Sequence, residues 1–142
     1  MRVAPLMLAV LLAAAPACSD GDKEEGEAAA KASCDGKLVA AKSEAALPSD
    51  LPAGVTGATF YEVQTDGATK RYFGYTTGTD VVATRDTIRN AFSAAGFEIE
   101  GSDEEAPAEA EFEWVKGSNE GSVQVIPLCQ GHQRIRYRTG PK

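Results

Sequence analysis

Residues 134–138 read Arg-Ile-Arg-Tyr-Arg. One-by-one alternation sends the apolar side chains to one face of an extended strand and the charges to the other, a period that no helix shares. Such a strand needs a sheet with one dry face and one wet face, which is the habit of antiparallel sheets. Other stretches carry the same alternation or a β-branched and aromatic composition: ATFYEVQ near 58–64, KRYFGYTT from about residue 70, FEIE, EFEWVKG, SVQVIPLC and QRIRYRT. Thr65-Asp66-Gly67, Gly117 to Gly121 and Gln130 to Gln133 are expected as turns, and SDEEAPAEAE as a loop.

One segment breaks this pattern. Val81, Ile88, Phe92 and Ala95 recur at spacings that share one side of a helix, with Thr79, Asp80 or Thr84 available as N-cap and Gly96 as the stop. The expected fold is therefore α+β, an antiparallel sheet of about five strands with one helix packed on one face, in strand-strand-helix-strands order. Pro48, Asp50, Pro52 and Gly54 make residues 34–54 a turn-rich arm, with a short helical piece within 38–47.

The beginning of the chain follows a different logic. Arg2 precedes the apolar run VAPLMLAVLLAAAPA, which is too short and too broken by Pro5 and Pro16 for a lasting membrane span of about 20 residues. A charged start, an apolar middle and a small-residue end are the parts of a secretory leader. Ala15, Pro16, Ala17 and Cys18 resemble the lipobox of bacterial lipoproteins, although Ala15 stands where that pattern usually has Leu. The resemblance implies lipidation of Cys18 and a protein held at the membrane of the cell envelope. Ala15-Pro16-Ala17 also fits an ordinary secretory cleavage site, which would release a soluble or periplasmic product.

The expected organisation is a signal peptide at 1–17, a lipidated cysteine and acidic tether at 18–33, and one domain at 34–142. Residues 19–32 hold no large apolar side chain and cannot repay the entropy of ordering. With Cys18 given to lipid, Cys34 and Cys129 remain as an even pair for a disulfide in an oxidising compartment. In the chain-entropy account such a loop closure stabilises by about 4 kcal/mol.

Function is less legible. The formal charge is -7, and -8 once residues 1–17 and their single charge, Arg2, are removed. That balance argues against nucleic acid as a partner. His132 is the only histidine; with Cys129 and Cys34 it falls short of the four ligands of a structural zinc site, so neither metal nor cofactor is expected. The same shortage disfavours Ser-His-Asp and Cys-His chemistry, and no glycine-rich phosphate loop is present.

Two charged features are left. Arg134, Arg136 and Arg138 should share a strand face, either as an anion-binding patch or as a wet face paired with Glu109, Glu111 and Glu113. Eight carboxylates between Glu98 and Glu113 read as a solvated loop and strand face, with a carboxylate-dependent hydrolase as a remote alternative. Aromatic residues turned away from the helix could form a ligand platform.

The strand-helix-strand plan, the Leu47-Pro48 to Leu51-Pro52 arm and the Ala94-Ala95-Gly96-Phe97 helix exit resemble a loosely defined group of small domains in bacterial envelope lipoproteins. That resemblance implies an envelope setting, no established chemistry and no site residues. The expected function is a non-enzymatic envelope lipoprotein that binds an envelope protein or an anionic envelope component. An anion or small-ligand carrier using the arginine strand is the alternative.

Overall fold

The computed structural model describes residues 38–129 and 131–142. Cys18, Cys34 and the whole of 1–37 lie outside the described residues, and with them the leader, the tether and one half of the expected disulfide.

Six antiparallel strands form one sheet: β1 (Thr59–Asp66), β2 (Thr69–Thr77), β3 (Glu98–Glu105), β4 (Glu109–Lys116), β5 (Asn119–Pro127) and β6 (His132–Pro141). The single helix, α1 (Val81–Ala94), joins β2 to β3. In space the strands run β1-β2-β6-β5-β4-β3. The α+β class holds, but there are six strands rather than about five. Their linear order also does not give their neighbours, because β6, not β3, lies beside β2. β3 to β6 form a meander that starts at the far edge and returns its last strand to the first hairpin.

The acidic segment is the main correction. Only residues 106–108 turn between β3 and β4; the expected loop SDEEAPAEAE is otherwise paired, from Gly101↔Glu113 to Glu105↔Glu109. Backbone pairing is indifferent to side-chain charge, and alternate residues of an edge hairpin can face water. Gly121 and Gln133, expected in turns, are strand residues as well. Gly121 sits beneath the Trp114 ring, where a Cβ would collide with that ring and with the Arg138 carbonyl.

Asp80 caps the helix, its Oδ1 accepting from the Ala83 N–H at 3.0 Å, and Gly96 ends it at φ 80° while the Phe97 N–H donates to the Phe92 carbonyl. Val81, Arg85, Ile88 and Phe92 form its buried stripe. Ala95, expected on that stripe, is the exposed C-cap residue, and a charged residue, Arg85, takes a place within it.

The core lies between α1 and one sheet face, with Tyr72, Phe112, Trp114, Val123, Val125, Ile135 and Tyr137 facing the helix. Phe92 touches the rings of Phe97, Phe112, Trp114 and Tyr137. The arm wraps the β1 edge. Its outer part bonds to the sheet through Lys42 N–H to the Phe60 carbonyl, with a 3-10 turn at Ser43–Ala45. Leu51 is buried in the core on the helix side, and Gly54 sits where a Cβ would lie 2.6 Å from the Ile88 Cα. The arm thus occupies the Phe60 end of the β1 edge.

Candidate functional site

One helix covers one face of the sheet, so the other face presents a second surface. Strand register assigns its side chains. Asp103, Glu111, Gln124, Arg136 and Phe73 lie in one row across β3, β4, β5, β6 and β2, and Gly101, Glu113, Ser122, Arg138 and Arg71 lie in the next. Charge is sorted by column: acids on β3 and β4, neutral Ser122, Gln124 and Ile126 on β5, arginines on β6 with Arg71 on β2, and acids again, Glu62 and Asp66, on the outer strand β1.

Arg134, Arg136 and Arg138 thus share one face, as their spacing implies, and Glu109, Glu111 and Glu113 share it with them. Direct pairing between the two sets does not occur. The β5 column intervenes, so β4 and β6 are about 10 Å apart at the usual strand spacing. Among the described residues none of the three arginines lies within ion-pair distance of a carboxylate. From β3 across to β2 the surface is bipolar rather than cancelled.

The three arginines differ in depth. Arg138 is exposed, Arg136 half-buried, and Arg134 only 8% exposed, with no hydrogen-bond partner for its Nε. Burial lowers the pKa of the Arg134 guanidinium; Tyr61 and Glu109 oppose that and Arg136 adds to it. Near Arg134 the aromatic residues Tyr61 and Tyr75 turn away from the helix, their rings 6.1 Å apart, and Tyr75 meets His132 edge-on at 5.7 Å. The Tyr75 hydroxyl donates to the Val39 carbonyl at 2.9 Å, so the arm claims this corner of the face.

On the acidic side a cleft of about 530 Å³ is lined by Gly101, Ser102, Phe112 and the carboxylates of residues 103–105 on β3 and of Glu109, Glu111 and Glu113 on β4. Burial pushes the Glu111 carboxyl above the ordinary carboxylate range, Glu109 and Glu113 add to the rise, and Arg136 and a hydrogen bond from Ser122 partly offset it. A raised carboxyl among other carboxylates in a cleft is the first requirement of a carboxylate hydrolase. The lining holds a single aromatic, Phe112, which belongs to the core, so no aromatic ring is free there to stack on a sugar. Among the described residues no group of three or more His, Cys, Asp or Glu side chains is placed to hold a metal.

Cys129 and His132 flank the β5–β6 turn, where the His132 N–H donates to the Cys129 carbonyl at 3.0 Å. Sequence reasoning missed Arg85. It is buried on α1, its Nη1 donates to the carbonyls of Asp103 and Glu111 at 3.2 Å each, and its Nη2 lies 2.8 Å from Glu104 Oε2. This side chain straps the acidic hairpin to the helix from behind and so sets the wall of the cleft. Its position one turn after Val81, in the apolar stripe, was the available signal.

No family model matches the chain, and no curated protein sequence matches it.

Proposed function

We propose that this chain is a non-enzymatic cell-envelope lipoprotein, anchored through Cys18, whose domain binds a protein or another envelope component through the sheet face opposite α1. The observation that carries the reading is that face: it is left open by the helix, sorted into acidic and basic columns, and free of internal charge pairing between Glu109, Glu111 or Glu113 and the arginines. Segregated charge of this kind steers and orients a charged partner.

The envelope setting rests on the leader and on Cys18. A Cys34–Cys129 disulfide belongs to the same proposal; its support is that these two of the three cysteines remain once Cys18 is given to lipid, and that Cys129 is not a free thiol. A second reading, an anion-binding domain, draws on Arg134, whose desolvated guanidinium lacks an ion-paired carboxylate among the described residues.

The test places a photo-crosslinking residue at Gln124, in the middle of the face, or at Ser93, exposed on α1, in the protein in its native cells. Adducts from position 124 alone support the reading, and adducts from position 93 alone overturn it. Intact mass decides the anchor: acyl chains on Cys18, with two thiols appearing only on reduction, are expected, whereas an unlipidated chain removes the membrane from the account.

A further inference from the structure

The bipolar face complements itself. For two copies stacked face to face, a two-fold axis lying between the sheets can run either along the strands or across them. An axis across the strands lays each column on its own kind and opposes like charges. An axis along β5 exchanges the two sides, so β4 of one copy lies over β6 of the other while every residue keeps its height along the strand. Register puts Glu111 and Arg136 in one row, and Glu113 and Arg138 in the next. The same axis therefore brings Glu111 opposite Arg136 of the second copy and Glu113 opposite its Arg138, and repeats both pairs by symmetry.

We infer that two copies of this chain associate through this face, about a two-fold axis along β5. The inference rests on the reading of the face as a binding surface and names its occupant. Charge complementarity selects the second copy, and the column on the axis is neutral as such an axis requires: half-buried Gln124 meets its own counterpart, where a charge would meet itself, and Ser122 is buried beside it.

Size agrees with a weak association. About an axis along β5 the five strands β2, β6, β5, β4 and β3 overlap and β1 overhangs; at about 4.8 Å spacing and about eight residues each at about 3.3 Å per residue they offer about 600 Å² per copy. Stable interfaces use about 800 Å² per partner. The arm takes the Tyr75 corner from this area, and Arg134 contributes little because it is already buried. The contact is therefore electrostatic and salt-sensitive, held by Arg136, Arg138, Glu111 and Glu113.

Sedimentation of the purified mature protein tests it. At low ionic strength the wild type is expected to show a monomer–dimer equilibrium, weakened about tenfold or more when salt rises several-fold. A Glu111→Arg/Glu113→Arg variant and an Arg136→Glu/Arg138→Glu variant should each be monomeric alone. Mixed in equal amounts they should form a heterodimer, since one then carries cations on both columns and the other anions on both. That recovery also shows that both variants fold. Should either fail to fold, Gln124→Lys serves instead: it puts like charges together on the axis and should abolish the dimer.

A wild type that stays monomeric at low salt, or a dimer indifferent to these substitutions, overturns the inference. If the wild type stays monomeric while position 124 still crosslinks to another envelope component, the dimer fails and the binding reading stands. If only position 93 crosslinks, the binding reading fails as well.

Discussion

Replacing Arg85 should loosen the acidic hairpin from the helix and cost more than any surface charge on this protein. Its guanidinium is buried and makes four polar contacts: two carbonyls at 3.2 Å, Glu104 at 2.8 Å and Asp86 at 2.8 Å. The two carboxylates are 55% and 40% exposed, so solvent screening holds each ion pair to roughly 0–1 kcal/mol. The two carbonyl contacts are charge-assisted and worth about 1.5–3 kcal/mol each. The lower figure applies to the Asp103 contact, because β3 is an edge strand whose carbonyls can recover water, whereas Glu111 lies on the inner strand β4. Arg85→Ala should therefore lose about 3–4 kcal/mol, which for a domain near 100 residues lowers Tm by roughly 12–20 °C. Arg85→Lys should recover less than half, since one ammonium cannot span the acceptors that the planar fork reaches. Glu104→Gln should cost under about 1 kcal/mol. Thermal melts followed by circular dichroism at neutral pH give all three values. A Tm for Arg85→Ala within about 3 °C of wild type, or a Glu104→Gln loss as large as that of Arg85→Ala, would refute the assignment of the stability to the carbonyl contacts.

Three further substitutions probe other parts of the fold. Gly121→Ala places a methyl group against the Trp114 ring and the Arg138 carbonyl; a loss of about 3 kcal/mol in a urea melt is expected, and a neutral outcome contradicts the packing. Gln133→Leu removes a fully buried amide whose Oε1 and Nε2 lack partners, so it should raise stability by about 1 kcal/mol, measured by calorimetry; a loss would mean the amide is satisfied in solution. Glu111→Gln should stabilise at neutral pH. With the folded pKa raised, the ionised form is penalised in the native state, so wild-type stability falls as pH rises through that value and recovers below the ordinary 4.5. The Tm gap between Glu111→Gln and wild type should therefore close as pH falls to about 4, and a gap that is constant with pH would contradict the shift.

Periodicity revealed the helix and the strand-rich remainder because both are local properties of the chain. The place of β6 between β2 and β5 was not legible, since alternation tells a strand which face to bury and not which neighbour to take. Composition misleads for the acidic hairpin in a similar way: Asp103, Glu104 and Glu105 look like loop residues, and they are strand residues because Glu109, Ala110 and Glu111 pair with them and Arg85 holds their backbone. Gly121 reads as a turn until Trp114 is seen to occupy the space of its missing side chain. The shared face of Arg134, Arg136 and Arg138 was legible from spacing alone. Their separation from Glu109, Glu111 and Glu113 by a neutral strand was not, because it depends on sheet order and register.

If the chain is the envelope lipoprotein proposed above, the face opposite α1 is covered by a partner in the membrane. Chemical footprinting tests this directly by comparing carbodiimide labelling of Glu111 and Glu113 and phenylglyoxal labelling of Arg136 and Arg138 in native membranes and in dilute purified protein, with Arg89 on α1 as the reference. Both columns are expected to be protected in the membrane, with Arg89 reacting equally in the two samples. Equal labelling of both columns in the two samples would contradict it.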